Sequence, residues 1–330
     1  MKPSFIASAS VSCAVLLLSL SGCGDDEESP YGDRDFREDM RDFVIGIAEY
    51  ARQTDPDFVV IPQNGHDLMT LDGEPGGEVA SDYVGAISGA GQEDLVYGYD
   101  EDNAATPADE RERLEGLLDV AEANGVEALV TDYCWDEALM DDSYAQNEGK
   151  GYISFAADDR DLRTIPDYPA EPHDVNADDV ASLADARNFL YLLDPSEFGS
   201  KDAFLGALQA TNYDAIIMDY FYEDTQALSA DDVASLKTKA DGGSRLVISY
   251  MSIGEAEDYR YYWQEEWDSD PPSWLDEENE EWEGNYKVRY WEADWQAIIY
   301  GSPDAYLDRI IASGFDGVYL DIIEAFEHFE

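Results

Sequence analysis

The sequence predicts a closed barrel of parallel βα units. Two observations carry that prediction: short apolar strands alternate with amphipathic helices along nearly the whole chain, and the strands repeatedly stop at a carboxylate. The stretch from Gly314 to Asp321 shows the unit plainly, with a helix-ending glycine, the apolar run Val318-Tyr319-Leu320, and Asp321 where the strand ends. Comparable strands end at or near Asp132, Asp158, Asp194, Asp219, Glu255 and Glu292. In a parallel barrel all such ends lie on one face, the face that carries chemistry in barrel enzymes.

Taken in order, Phe36, Met40, Phe43, Val44, Ile47 and Ala51 fall on one helical face, and Phe58-Val59-Val60-Ile61 follows as a buried strand. Leu95 to Tyr99 reads as the next strand. Thr106 with Pro107 opens a helix through Leu114, Leu117, Leu118 and Ala121 that stops at Gly125. Strands are then expected over Ala128 to Thr131, Tyr152 to Ala156, Phe189 to Leu193, Ala215 to Asp219, Leu246 to Tyr250, Val288 to Trp291 and Val318 to Leu320. Ser229 with Asp232 has the form of a capping box ahead of Val233 and Leu236, and Ser302 with Pro303 opens a helix closed by Gly314. This is one strand more than an eight-stranded ring holds, so either the Leu95 or the Tyr152 segment is expected to be short or peripheral. Asp158 to Ala184, with Pro166, Pro169 and Pro172, reads as a long loop over a barrel face, and Asp268 to Tyr286 as an acidic, Trp-bearing elaboration.

Asp and Glu fill 76 of the 330 positions against 19 Lys and Arg, for a net charge of -57. A carboxylate at any one position is therefore weak evidence, and the repeated placement at strand ends carries more weight. Such a charge excludes nucleic acid as a partner, because phosphate binding needs clustered cations. It reads as an exterior kept solvated in concentrated salt, which suggests a marine or halophilic source.

Lys2 precedes an apolar run from Val11 to Leu20 that is too short for a permanent membrane span, and Leu20-Ser21-Gly22-Cys23 resembles the lipobox of bacterial lipoproteins. The expectation is a signal peptide over 1–22, lipidation of Cys23, a polar tether over 23–34 and a single barrel over 35–330. The protein would then be exported and held to the membrane through its lipid alone. Cys134 would be the remaining thiol, so no disulfide framework is expected.

Four blocks resemble the barrel domain of glycoside hydrolase family 114, the endo-α-1,4-polygalactosaminidase family. They are Ile216-Ile217-Met218-Asp219-Tyr220, then Tyr250-Met251-Ser252-Ile253-Gly254-Glu255-Ala256-Glu257 with Tyr259-Arg260 and Trp263, then Gly314 to Asp321, and Pro56-Asp57-Phe58 with Ile61-Pro62-Gln63-Asn64. The resemblance implies an α/β barrel of the (β/α)8 TIM type that hydrolyses an amino-sugar polysaccharide. It also implies a circular permutation, because the family places the Pro-Gln-Asn strand after the Asp321-like strand and here it comes first. The ends of a closed barrel are neighbours, so such a cut preserves packed contacts.

Glycosidic cleavage commonly uses two carboxyl groups, one kept protonated and one ionised, about 5 Å apart in retaining enzymes and about 6.5–9.5 Å in inverting ones. The resemblance makes Asp321 the first candidate. For the second, Asp67 is the acidic residue nearest after the Pro-Gln-Asn strand, and Glu255 competes because it follows Gly254 at a strand end. Asp219, Tyr220, Tyr250, Tyr319, Asn64, Trp291 and Glu292 are candidates for lining the cleft, Arg260 for holding an ionised partner, and Asp132 with Tyr133 more weakly. His66, His173 and His328 lack metal-ligand spacing, and no phosphate-binding glycine loop is present, so no metal and no cofactor is expected.

Overall fold

The computed structural model describes residues 31–330. The signal-peptide segment, the lipobox and Cys23 lie outside the described residues. Eight parallel strands form the centre: β1 (Val59–Pro62), β2 (Gly89–Glu93), β3 (Glu127–Tyr133), β4 (Ile153–Ala157), β5 (Phe189–Leu192), β6 (Ala215–Asp219), β7 (Leu246–Ser252) and β8 (Gly317–Asp321). One parallel ladder runs β1-β8-β7-β6-β5 and a second runs β2-β3-β4. Single parallel bridges, Gln63 with Gly91 and Ser154 with Asn188, join the two ladders at both ends, so the strand order returns to its start as an α/β barrel.

Register fixes which side chains face inward. Ile61, Tyr319, Tyr250 and Asp219 occupy successive paired positions around the ring, and Tyr191 pairs with Ile217 on the same face. Tyr191 and Tyr319 belong to strands that are not neighbours, yet their rings meet at 5.1 Å between centroids, so this face is the barrel interior. A Cβ added to Gly91 would lie 2.1 Å from the Tyr319 hydroxyl. The glycine on β2 therefore makes room for the tyrosine on β8.

Helix α1 (Phe36–Arg52) packs Met40, Phe43, Val44, Ile47 and Ala51 against the barrel, as its periodicity predicts, and Asp35 caps it by accepting from the Glu38 amide at 3.0 Å. Burial of each of the four larger side chains contributes about 1.5–3 kcal/mol. Buried Arg41 on α1 donates to the carbonyls of Leu68 (2.8 Å) and Thr70 (2.7 Å), which fastens the segment after β1. Among the other helices, α2 (Ser81–Ala86) precedes β2, while α3 (Ala108–Ala123) and α4 (Glu137–Lys150) connect β2 to β3 and β3 to β4. Next come α5 (Lys201–Gln209) before β6 and α6 (Ala230–Leu236) before β7, the latter with the capping box of Ser229 and Asp232 formed in both directions. Before β8 stand α7 (Ala293–Ile299) and α8 (Tyr306–Ala312).

Several expectations need correction. Of the two segments that compete to be short or peripheral, Leu95 to Tyr99 is the peripheral one, with a single isolated bridge from Tyr97 to Ala105, whereas the second strand, Gly89–Glu93, is not among the expected ones. The Tyr152 segment is a full barrel strand. Val288 to Trp291 is not a strand end of the ring either. Asn285–Val288 instead pairs antiparallel with Glu255–Glu257 and Leu275–Glu278, forming a small sheet that follows β7. Thr106 does not cap α3, because its hydroxyl donates to the Asp94 carbonyl. The long loop expected over 158–184 is present, with no strand and no helix until a short turn at Leu183–Asp185. Among the described residues no helix is long and apolar enough to cross a membrane.

Candidate active site

Asp321 ends β8 on the inward face and is 4% exposed. The Tyr250 hydroxyl donates to it at 2.6 Å and the Ile322 amide at 2.9 Å. Burial raises its pKa to about 6; these two donors pull the other way, and the charges of Glu255 and Glu257 add to the rise. After Asp321 the chain turns through Ile322 at φ 59°, which sends Glu324 back beside the same carboxyl. One Glu324 oxygen is buried without a hydrogen-bond partner, and burial followed by the Asp321 charge holds this carboxyl well above the ordinary range.

A further buried carboxyl, Glu93, stands at the end of β2 and is 3% exposed. Gln63 and Tyr133 donate to its two oxygens, Asn64 donates at 3.3 Å, and the Glu93 amide donates back to Asn64 at 3.2 Å. Tyr191 in turn donates to Gln63 at 2.9 Å. The charges of Asp321 and Glu93 both act on the hydroxyls of Tyr191 and Tyr319, so both carboxyls neighbour the same pair of buried tyrosines. A cleft of about 110 Å³ is lined by Asn64, Glu93, Glu324, His66 and Asp67. Burial and the neighbouring Arg113 push the His66 imidazole down to about 4, so it is neutral at ordinary pH.

Glu93 escaped the sequence reading because Gly89-Ala90-Gly91-Gln92-Glu93 has almost no strand propensity. The usable signal was the amide pair Gln63-Asn64, whose donors need an acceptor from the next strand.

The remaining candidates separate into groups. Tyr250 donates to Asp321 and Asn64 to Glu93, the charges of both carboxyls act on the Tyr319 hydroxyl, and the charge of Glu255 acts on Asp321. Glu255 accepts from Asn279 at 2.8 Å and Asn285 at 3.3 Å, and burial raises its pKa, with Glu257 adding to the rise against those donors. Asp219 stands beside Tyr250 but is tied to Arg260 at 2.8 Å, and Arg260 also grips Glu257 at 2.7 Å. Arg260 thus joins β6 to the sheet after β7, and the carboxylates it holds are Asp219 and Glu257. Asp67 sits on the outer wall of the small cleft, paired with Arg113 at 2.8 Å.

Four candidates lie apart from this cluster. Asp132 faces out of the barrel and accepts from Val96 and Tyr97 amides, Ser143 and Asn147, which fixes α4. Tyr220 packs outside the strands against Phe221, Tyr306 and Phe315. Trp291 belongs to an aromatic group with Tyr31, Phe36, Tyr290 and Phe329, and Glu292 precedes α7 and accepts from Ser273 at 2.8 Å. Strand-end position alone did not distinguish inward from outward side chains, because a shift of one residue reverses the face. Among the described residues no group of three or more His, Cys, Asp or Glu side chains is arranged to hold a metal ion.

Residues 185–330 match the family model of glycoside-hydrolase family GH114. That segment carries β5 to β8 with Asp219, Tyr250, Glu255, Arg260 and Asp321, whereas Asn64 and Glu93 precede it. An uncharacterized protein of Methanocaldococcus jannaschii is 39% identical over 155 residues, covering 46% of this chain and 42% of its own. Uncharacterized proteins of Thermotoga maritima and Deinococcus radiodurans are 37% and 41% identical over 144 and 123 residues, covering 43% and 37% of this chain and 40% and 37% of their own. The matched region thus spans about two fifths of the length of each of these relatives.

Proposed function

We propose, from a chain whose residues 185–330 match a glycoside-hydrolase family, that the protein is an exported, lipid-anchored hydrolase of an amino-sugar polysaccharide, similar to endo-α-1,4-polygalactosaminidases. The observation that carries this reading is the pair of buried carboxyls at the ends of β8 and β2, Asp321 and Glu93, with only β1 between their strands. Two inter-strand spacings are about 9–10 Å at the backbone, and side chains leaning inward from there come within the range that flanks a glycosidic bond. Asp321, with a pKa near 6, exchanges its proton readily close to neutrality and suits the acid–base role at the glycosidic oxygen or at water. Glu93, gripped by Gln63, Asn64 and Tyr133, is the oriented partner on the other side of the reacting carbon. Excess carboxylate around the mouth favours a sugar bearing a free ammonium over an anionic one.

We read the order of the blocks as a circular permutation, supported by the pairing of β1 with β8 and by a family match confined to β5 onward.

The test is turnover on a panel of galactosamine, glucosamine and uronic acid polymers, read as new reducing ends. Wild type is expected to cleave a galactosamine polymer, and Asp321→Asn and Glu93→Gln each to lose about 10²–10⁴-fold in rate while still unfolding in a cooperative transition. No cleavage of any polymer by wild type, or full activity in Glu93→Gln, would overturn the assignment.

A further inference from the structure

A second and much larger cavity, of about 780 Å³, opens over the ends of β3 and β4. Its walls come from four places in the chain: Asp102 after β2, Trp135 after β3, Asp158 to Asp161 after β4 with Tyr168 from the loop beyond, and Trp282 from the small sheet that follows β7. In the ring of strands β7 stands opposite β3, so the hairpin carrying Trp282 crosses the barrel mouth to reach this wall. One side of the cavity adjoins the proposed reaction centre, because the Arg160 guanidinium that lines it lies 4.0 Å over the ring of Tyr133, the residue that donates to Glu93.

Two features of this cavity are unusual for a surface with only structural duties. Trp135 is 47% exposed, yet its backbone is pinned, since the Asn103 side chain accepts from the amides of Trp135 (2.8 Å) and Asp136 (3.2 Å). A large apolar face is therefore held toward solvent at a fixed position. The lining is also short of positive charge. Its one cation, Arg160, is already bound to Asp94 at 2.9 Å and Asp102 at 2.5 Å, while Asp159 and Asp161 share Arg163, which lies outside the lining. Asp158 is left with a hydroxyl donor, Thr164 at 2.6 Å, and Asp167 and Glu137 add to the negative charge. Burial raises the Asp161 pKa, with neighbouring Asp159, Asp194 and Asp102 adding to the rise and Arg163 opposing it.

We propose that this cavity is a remote substrate subsite that takes a positively charged pyranose unit of the polymer chain, with Trp135 and Trp282 as stacking faces and Asp158 and Asp167 as partners for the ring ammonium. The proposal rests on reading Asp321 and Glu93 as the hydrolytic pair. An anionic sugar or a nucleotide is repelled by this lining, and a neutral sugar gains the stacking without the charge. Spanning the wall of Arg160 and Tyr133, a single chain reaches from the cavity to Glu93, so occupancy couples chain length to productive binding.

The experiment compares wild type, Trp135→Ala, Trp282→Ala and Asp167→Asn on α-1,4-galactosamine oligomers of increasing length, with their N-acetylated counterparts in parallel. In both Trp variants KM is expected to rise about fivefold to tenfold for the long oligomers and progressively less for shorter ones. In Asp167→Asn the rise is expected with the free amines only. Unchanged KM for long oligomers in both Trp variants overturns the subsite while leaving the hydrolytic pair intact. Should wild type cleave nothing, the subsite is read separately by tryptophan-fluorescence titration of the same oligomers. Loss of binding in Trp135→Ala then supports it, whereas equal affinity in all four proteins, or tighter binding of a lysine-rich peptide than of any oligomer, overturns it.

Discussion

Asp321 combines burial with two hydrogen-bond donors, and burial dominates, so its carboxyl holds a proton up to about pH 6 against the ordinary 3.8. The folded state therefore binds more protons than the unfolded chain between about pH 4 and 6, and stability falls as pH rises through that window. Above pH 6 the ionised group costs on the order of 3 kcal/mol. Asp321→Asn removes the titration, and we expect the variant to melt above wild type at pH 7 and to lose that advantage near pH 4, as read by thermal unfolding at both pH values. A variant less stable than wild type at pH 7 counts against a destabilising ionised Asp321. The sequence disclosed Asp321 because its motif is apolar up to the final carboxylate. Glu93, which needs Gln63, Asn64 and Tyr133 to orient it, became visible only when three strands were side by side.

At the scale of elements, legibility follows composition. Phe58 to Ile61, Ala215 to Asp219 and Leu246 to Tyr250 are apolar runs that only a strand buried on both faces explains, and they form β1, β6 and β7. Strand β2 fails every such test because its sequence answers to the barrel interior: the Tyr319 hydroxyl fills the space a side chain at Gly91 needs, and Gly89 faces Leu183 and the Glu127 carbonyl. Conversely, Val288 to Trp291 has strand-like residues but serves the hairpin and an aromatic group at the barrel flank. Gly91→Ala is accordingly expected to destabilise by about 1–3 kcal/mol through overpacking and to displace Tyr319, with activity falling because Glu93 follows two residues later. Denaturant unfolding checks this, and a midpoint equal to wild type would mean that the tyrosine layer yields freely.

For the molecule as a whole, a net charge of -57 makes self-repulsion a property of the fold and not of any single pair. Salt shortens the reach of that repulsion from about 30 Å at 0.01 M to about 3 Å at 1 M, so the melting temperature is expected to climb with NaCl across that range, and a flat or falling profile would refute the view. The same scale leads us to expect that ring closure tolerates a different cut in the chain. Tyr31 packs on Phe329 at 5.7 Å between ring centroids, and Arg37 binds Glu330 at 2.8 Å, so the two limits of the described residues are already adjacent. The long loop after β4, by contrast, contributes no strand to the ring. A chain rearranged to run 177–330, then a short glycine-serine linker, then 31–176 keeps every pairing of the eight strands and moves the break to that loop. We expect it to fold with a melting temperature within a few degrees of the natural order and to match wild type in the proposed hydrolysis. Failure to fold would mean that the junction near α1 is an integral part of the barrel's stability, and the permutation reading would lose its physical basis.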